Sequence, residues 1–190
     1  ERMLGGSAVH FALAASFFTE VRIVGPVGDD FGPEQIEVLE GRGVRTEDIE
    51  RIEGGATFFW RGHYEYDMNV AHTDDTQLNV FADFDPKLSE GSRSADLLFL
   101  GNIQPGLQRR VRAECAAEFA ALDSMNLWID TARDELVAAI GETDCVLLND
   151  AEVRMLTGEP NLARAARAVM EMGPEVVVAD ATDAALVASG

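Results

Sequence analysis

The feature that most constrains this chain is a rhythm. Short apolar runs alternate with stretches whose apolar residues recur at helical spacing. That alternation argues for an α/β fold, with helices layered on a largely parallel sheet. Ala8, Phe11, Ala12, Ala15 and Phe18 form a first helical stripe, with Ser7 placed to cap it. Residues 21–27 read as a strand that ends in Gly28-Asp29-Asp30. Pro33 suits a first helical turn with Ile36 and Leu39 on the buried face, and Gly41 and Gly43 end that helix. The rhythm returns with a strand at 96–100 ending in Gly101-Asn102, then a helix from Pro105 carrying Leu107, Val111 and Cys115. Residues 118–123 fit two readings, a continuation of the helical stripe through Phe119 and Leu122 or a short strand. Thr131 is expected to cap a helix running to Ile140, followed by a buried strand at 145–148. Asn161 is expected to cap a helix with Leu162, Ala165, Ala166 and Val169 on one stripe and Gly173-Pro174 as its stop, before a strand at 176–178.

Residues 53–84 interrupt this order. The segment 57–64 is rich in β-branched and aromatic residues; in an extended chain Phe58, Trp60 and Tyr64 share one side and Phe59, Arg61 and His63 the other. A second extended run is expected at 78–84, where Leu78, Val80, Ala82 and Phe84 alternate, with a polar connection at 67–77. Two strands this close cannot hold a helical crossover, so the pattern predicts a small antiparallel insertion.

With 34 acidic against 15 basic residues the net charge is −19. No surplus of Lys and Arg exists to neutralise a phosphate backbone or an anionic bilayer, which disfavours nucleic-acid and membrane-surface binding. The longest apolar stretch, residues 8–18, contains His10 and is shorter than the roughly 20 residues a span requires. It also lacks a basic leader and a cleavage site. Cys115 and Cys145 have no metal-ligand spacing, so a reduced, cytoplasmic protein is the simplest expectation. The length of 190 residues suits one domain.

In an open parallel sheet, ligands gather beyond the carboxyl ends of the strands. Here those ends carry Gly28-Asp29-Asp30, Gly101-Asn102 and Asn149-Asp150, although turn residues occupy such places in any α/β protein. The segment Gly25-Pro26-Val27-Gly28 does not complete G-x-G-x-x-G, and neither G-x-x-x-x-G-K-[ST] nor G-x-S-x-G occurs. A nicotinamide-dependent oxidoreductase is therefore disfavoured. His10, His63 and His72 lack the mutual spacing of zinc ligands.

Several segments in a fixed order carry a resemblance. They are Gly5-Gly6-Ser7-Ala8, Val24-Gly25-Pro26-Val27-Gly28-Asp29-Asp30-Phe31-Gly32, Gly43-Val44, the aromatic insertion, Leu100-Gly101-Asn102-Ile103, and Leu148-Asn149-Asp150-Ala151-Glu152 with Leu156-Thr157-Gly158 behind it. Together they resemble the PfkB (ribokinase-like) family of carbohydrate and nucleoside kinases over nearly the whole chain. The resemblance implies a three-layer α/β/α sheet with a β-lid at about 53–84. It implies transfer of the ATP γ-phosphoryl group to a hydroxymethyl of a sugar or nucleoside, with ATP and Mg²⁺ as cofactors. It selects the strand reading of 118–123, which sets Asp123 and Asn126 at the ligand edge of the sheet.

The site residues follow from the same resemblance. Gly5 and Gly6 let backbone N–H groups approach sugar hydroxyls. His10 stands where most of the family has Asn; it reads either as an acceptor ligand or as a packed helix residue. Asn102, Arg61, Asp123 and Asn126 complete the expected acceptor side. Asn149 and Glu152 match the family's Asn-x-x-Glu motif, in which Glu152 would reach Mg²⁺ through water; the same spacing is also that of a helix capping box. The lid aromatics read either as a cover over the substrate and a homodimer contact or as a small core of their own. Two departures stand out. The family's Gly-Ala-Gly-Asp segment with its catalytic base is expected beyond Gly190, and an initial strand before Glu1, so the 190-residue chain alone is expected to be inactive. In residues 178–185, alanine also replaces two family glycines. These departures keep a second reading open, a non-catalytic sugar- or nucleotide-binding domain of the same fold.

Overall fold

The computed structural model describes residues 3–64, 71–181 and 184–190. It falls into two compact units, residues 1–92 and 93–190.

In the first unit, α1 (Ser7–Ala15) packs on β1 (Arg22–Val27), and α2 (Pro33–Glu40) returns the chain to β2 (Arg45–Arg51), which pairs with β1 in parallel. Val9, Ala12, Val21, Ile23, Leu39 and Val44 form the core of this unit. The expected stripes thus face inward at Ala12 and Leu39. Phe18 does not; it is 90% exposed, beyond the end of α1. Ser7 does not cap α1. Gly6 occupies the cap position at φ 97°, a backbone conformation open to glycine, and Ser7 is the first helical residue.

The antiparallel ribbon is present, with different strands from those expected. β3 (Phe59–Tyr64) pairs with β4 (Ala71–Gln77), and a bulge between Arg61 and Gly62 shifts the register. Residues 78–84 are not a strand. They wind into a 3₁₀ turn, Asn79–Phe81, begun by Asn79 at φ 48°. There Phe81 lies 5.2 Å from the ring of Phe58 and 6.2 Å from that of Phe84, so a small aromatic core replaces the expected strand face. Of the polar connection, residues 67–70 lie outside the described residues, as does the side chain of Tyr64.

The second unit is a five-stranded sheet in sequence order, β5 (Leu97–Leu100), β6 (Phe119–Asp123), β7 (Cys145–Asn149), β8 (Val176–Ala181) and β9 (Ala184–Ser189). The first four are parallel; β9 is antiparallel to β8. A short helix, α3 (Glu90–Arg93), precedes β5, and helices α4 (Pro105–Glu114), α5 (Asn126–Thr131), α6 (Arg133–Ile140), α7 (Asp150–Thr157) and α8 (Leu162–Met170) supply the crossovers. Leu122, Val146 and Val177 from the strands meet Leu136, Ile140, Val153, Leu156, Ala166 and Val169 from the helices, all with at most 1% of their surface exposed. Residues 118–123 resolve as the strand β6. Thr131 does not cap a helix; it ends α5 with its hydroxyl donating to the Leu127 carbonyl at 2.6 Å, and Ala132 precedes α6.

Asn161 caps α8 as expected, accepting from the Arg164 N–H at 3.1 Å. Gly158 ends α7 at φ 71°, donating its N–H to the Arg154 carbonyl at 2.7 Å. A methyl group at Gly158 would touch nothing within 4 Å. Gly158→Ala therefore isolates the backbone strain, and it is expected to lower stability by about 1 kcal/mol in urea unfolding. An unchanged midpoint would mean that the helix end relaxes freely.

Candidate functional site

The carboxyl ends of the parallel strands in the second unit form one polar rim. The register sets Leu100 beside Leu122, Asp123 beside Leu147 and Asn149 beside Asp180. β6 and β7 are apolar until a last polar residue, β8 carries Asp180 near its end, and Asn102 follows β5, so the rim collects Asn102, Asp123, Asn149 and Asp180.

Two side chains that the sequence reading left out hold this rim in place. Gln108, on the buried side of α4, is 1% exposed. Its amide nitrogen lies within reach of the carbonyls of Leu100 at 3.3 Å, Gly101 at 2.9 Å and Asp123 at 2.9 Å. The end of β5 is thereby tied to the end of β6. Trp128, on α5, donates its indole N–H to Asn102 Oδ1 at 2.9 Å. A signal for Gln108 was available. It follows Pro105 by three residues and precedes Cys115 by seven, a polar side chain on a buried helical stripe, and buried polar groups are the informative exceptions.

Asp123 is half-buried, and its loss of water pushes its carboxyl up to about 6, against the lowering effect of hydrogen bonds from the backbone N–H groups of Ser124 and Asn102. Glu152 is pushed up to about 7, chiefly by burial. A hydrogen bond from the Asn149 N–H opposes the shift, and the charge of Asp123 adds to it. Asn149 and Glu152 also form a reciprocal capping box. Glu152 Oε2 accepts from the Asn149 N–H at 2.8 Å, and Asn149 Oδ1 accepts from the Glu152 N–H at 2.8 Å. The local structural reading of this spacing is thus realised. It leaves Glu152 held rigidly, at the start of a helix, within the field of a second carboxylate. Such a pair of desolvated carboxyls favours a cation or a proton beside it.

Among the described residues no group of three or more His, Cys, Asp and Glu is arranged to hold a metal ion. Mg²⁺ keeps most of its water and needs few protein oxygens, so the Asp123–Glu152 pair fits it, whereas a closed protein cage for zinc is not formed.

The other expected residues are placed as follows. Asn126 is exposed at the first position of α5, its Oδ1 accepting from the Leu127 N–H at 2.9 Å. Gly5, Gly6, His10 and Arg61 belong to the first unit. His10 is exposed on the first turn of α1, its N–H donating to the Gly6 carbonyl at 3.1 Å and its Nε2 3.9 Å from where a Gly5 side chain would begin. Arg61 is exposed on β3 opposite Asp75. His63 pairs with Asp74 at 2.9 Å and stacks on His72 with ring centres 5.2 Å apart. Ala181 and Ala184, which stand for the two family glycines, face each other as the last paired residues of β8 and β9. Their backbones are extended, so neither position demands a glycine. Thr182 and Asp183 lie outside the described residues.

The profile of the pfkB family of carbohydrate kinases matches residues 1–190. The chain belongs to that family. Comparison with curated proteins gave no match. Among solved structures, this pfkB-family chain is similar to the adenosine kinase from Sinorhizobium meliloti, with 17% identity and a TM-score of 0.81 over 98% of this chain and 61% of that one. It is similar to the nucleoside kinase from Burkholderia thailandensis in complex with inosine, at 12% identity and a TM-score of 0.73 over 100% of this chain and 63% of that one. A third likeness is to an E. coli protein assigned as ribokinase II in complex with ATP and Mg²⁺, at 18% identity and a TM-score of 0.70 over 98% and 65%. These likenesses show the fold, a ribokinase-like α/β sheet that carries a small β-ribbon. The pfkB-family chain spans 61–69% of the length of the solved kinases it resembles. No helix among its described residues is long and apolar enough to cross a membrane.

Proposed function

We propose that the protein to which this chain belongs transfers the γ-phosphoryl group of ATP to a hydroxymethyl group of a sugar or nucleoside. The observation that carries this reading is the polar rim of the second unit, where Asn102 and Asp123 are pinned by Gln108 and Trp128 beside the capped Glu152. In this reading Asn149 and Glu152 lie on the nucleotide side, with Glu152 holding the water shell of Mg²⁺. When bound, Mg²⁺ with ATP supplies neutralisation of the charge on the transferring phosphoryl group. Asn102 and Asp123 accept or donate hydrogen bonds at the acceptor, with Asn126 at the margin. Gly5, Gly6 and His10 contact acceptor hydroxyls, and Arg61 and the ribbon β3–β4 cover them, excluding water and offering a surface for a homodimer. A cytoplasmic location suits ATP as donor.

The test is phosphorylation by the complete gene product across a panel of pentoses, hexoses and nucleosides. Magnesium-dependent product on at least one acceptor supports the proposal. Silence across the panel together with no nucleotide binding removes it. His10 and the departure of residues 178–185 from the family pattern motivate a second reading, a non-catalytic sugar- or nucleotide-binding domain of the same fold. Calorimetry that shows acceptor binding without ATP·Mg²⁺ binding would select that one.

A further inference from the structure

The segment Gly28-Asp29-Asp30 ends β1 with two carboxylates at a strand terminus where a ligand is ordinarily sought. In the structure both carboxylates are engaged with the chain that leads into β3. Asp29 Oδ2 accepts from the Gly54 N–H at 2.9 Å, and Asp30 Oδ1 accepts from the Thr57 N–H at 2.7 Å. The backbone does the same. The Asp29 N–H donates to the Gly55 carbonyl at 2.9 Å, and the Gly28 N–H donates to Thr57 Oγ1 at 2.9 Å. The approach is close. A side chain on Gly28 would begin 2.3 Å from the Gly55 carbonyl oxygen. Arg51 steadies the turn from behind, donating to the carbonyls of Gly28 at 3.1 Å and Phe31 at 2.7 Å.

The leg that leaves the ribbon is fastened to the same short segment. Asn79 Nδ2 donates to the Thr57 carbonyl at 2.9 Å, and the Val80 N–H donates to the Ala56 carbonyl at 3.2 Å. Both legs of the β3–β4 ribbon therefore converge on residues 54–57, and those residues are held by the end of β1. Beyond them, the ribbon's contacts are mainly between its own two strands.

We infer that Gly28, Asp29 and Asp30 are positioning residues, a clamp that sets the pivot of the β3–β4 ribbon. The carboxylates act as hydrogen-bond acceptors for backbone N–H groups. An amide oxygen can replace them in that role, which it could not do for a group that binds a cation or takes up a proton. The clamp fixes the root of the ribbon, and with it the direction in which β3 leaves residues 54–57.

The test compares Asp30→Ala with Asp30→Asn in the complete protein. Asp30→Ala is expected to speed amide exchange in residues 54–64 by about three- to tenfold, the loss of one charge-assisted bond at an exposed position. Exchange in residues 93–190 should be unchanged. Asp30→Asn should stay within about twofold of the parent, since its side-chain oxygen still accepts from Thr57. If the ribbon covers the acceptor as proposed above, Asp30→Ala also raises the acceptor KM by a similar factor with kcat less affected, and Asp30→Asn restores it. Unchanged exchange at 54–64 in Asp30→Ala overturns the inference. So does an Asp30→Asn protein that behaves like Asp30→Ala, because the charge itself would then be what matters. Should Asp30→Ala fail to fold, the pair Asp29→Ala and Asp29→Asn repeats the comparison at Gly54. A protein inactive on every acceptor defeats the kinase reading, and the exchange comparison still decides the clamp.

Discussion

Glu152→Gln is expected to make the protein more stable near neutral pH and above and, on the kinase reading proposed above, to remove most of its turnover. The stability gain follows from the direction of the Glu152 shift. Its carboxyl is pushed up to about 7 in the folded state, above its ordinary value of 4.5. Between those two values the folded chain holds a proton that the unfolded chain has released, so stability falls as pH rises through that window and stays low above it. Asp123, pushed up to about 6, acts in the same direction over a lower window. Gln at position 152 carries no charge to desolvate, and its side-chain oxygen can still accept from the Asn149 N–H, so the capping box survives. Urea unfolding should show a gain of about 1–2 kcal/mol near pH 8 and close to none near pH 5. A loss at both pH values would mean that the charged Glu152 stabilises the fold, contrary to this account. On the kinase reading, the same substitution in the complete protein should lower turnover by about 10- to 100-fold, the usual effect of removing a group that orders a metal's water shell. More stability with less activity is the signature expected of a site held ready for a cation.

The second large effect is expected at Gly28. Gly28→Ala would place a methyl group 2.3 Å from the Gly55 carbonyl oxygen and 2.6 Å from backbone atoms of Ala56. Neither neighbour is a flexible side-chain end, so residues 54–57 must move and the clamp bonds of Asp29 and Asp30 go with them. Overpacking of this kind is expected to lower stability by about 1–3 kcal/mol. Gly25, three residues earlier and within β1, provides the control. A methyl group there meets nothing within 4 Å, and Gly25→Ala should be neutral or slightly stabilising. Equal effects at the two positions, read from thermal unfolding, would contradict the close approach on which the clamp depends.

Most of the parallel framework was legible because burial on both faces leaves apolar runs. Residues 145–148 contain Val146 and Leu148, both nearly inaccessible, and such a run has few alternatives to a central strand. Asn161 announced the start of α8 because its side chain serves the orphan N–H groups of the first turn. The elements that escaped detection lack that imprint. β2 reads Arg-Thr-Glu-Asp-Ile-Glu-Arg and is only half-buried. What holds it is tertiary, its pairing with β1 and Asp48, whose carboxylate accepts from both hydroxyls of Ser89 and Ser92 at 2.7 and 2.5 Å. β4 is polar because the ribbon buries little, and a strand with no buried face leaves no alternation to read. Residues 78–84 do alternate, yet the chain turns there, and it is Phe81, outside the alternating set, that packs on Phe58 while Leu78 stays exposed. β9 was missed because alanine carries little strand signal; pairing with β8 decides it.

The expectation that Asn102, Asp123, Asn149 and Glu152 share one site came from a motif order rather than from local physics; their common rim is what the structure adds. The capping box and the metal-water motif share one spacing, so residues 149–152 alone could not separate them. The supports were legible only in part. Gln108 could have been flagged as polar on an apolar stripe, whereas the indole of Trp128 reaches Asn102 across 26 residues, a contact no local pattern encodes.

The most direct measurement is calorimetry of ATP·Mg²⁺ binding to the complete protein in two buffers of different ionisation enthalpy, which yields the protons exchanged on binding. If Glu152 receives the hydrated cation, with Asp123 close by, up to about one proton should leave per ligand bound near pH 6.5 and almost none near pH 8, and Glu152→Gln should abolish most of that release along with the affinity. Tight binding with no proton release at either pH, unaltered by Glu152→Gln, would show that the nucleotide's metal is held elsewhere and that the rim is only a structural feature of the sheet.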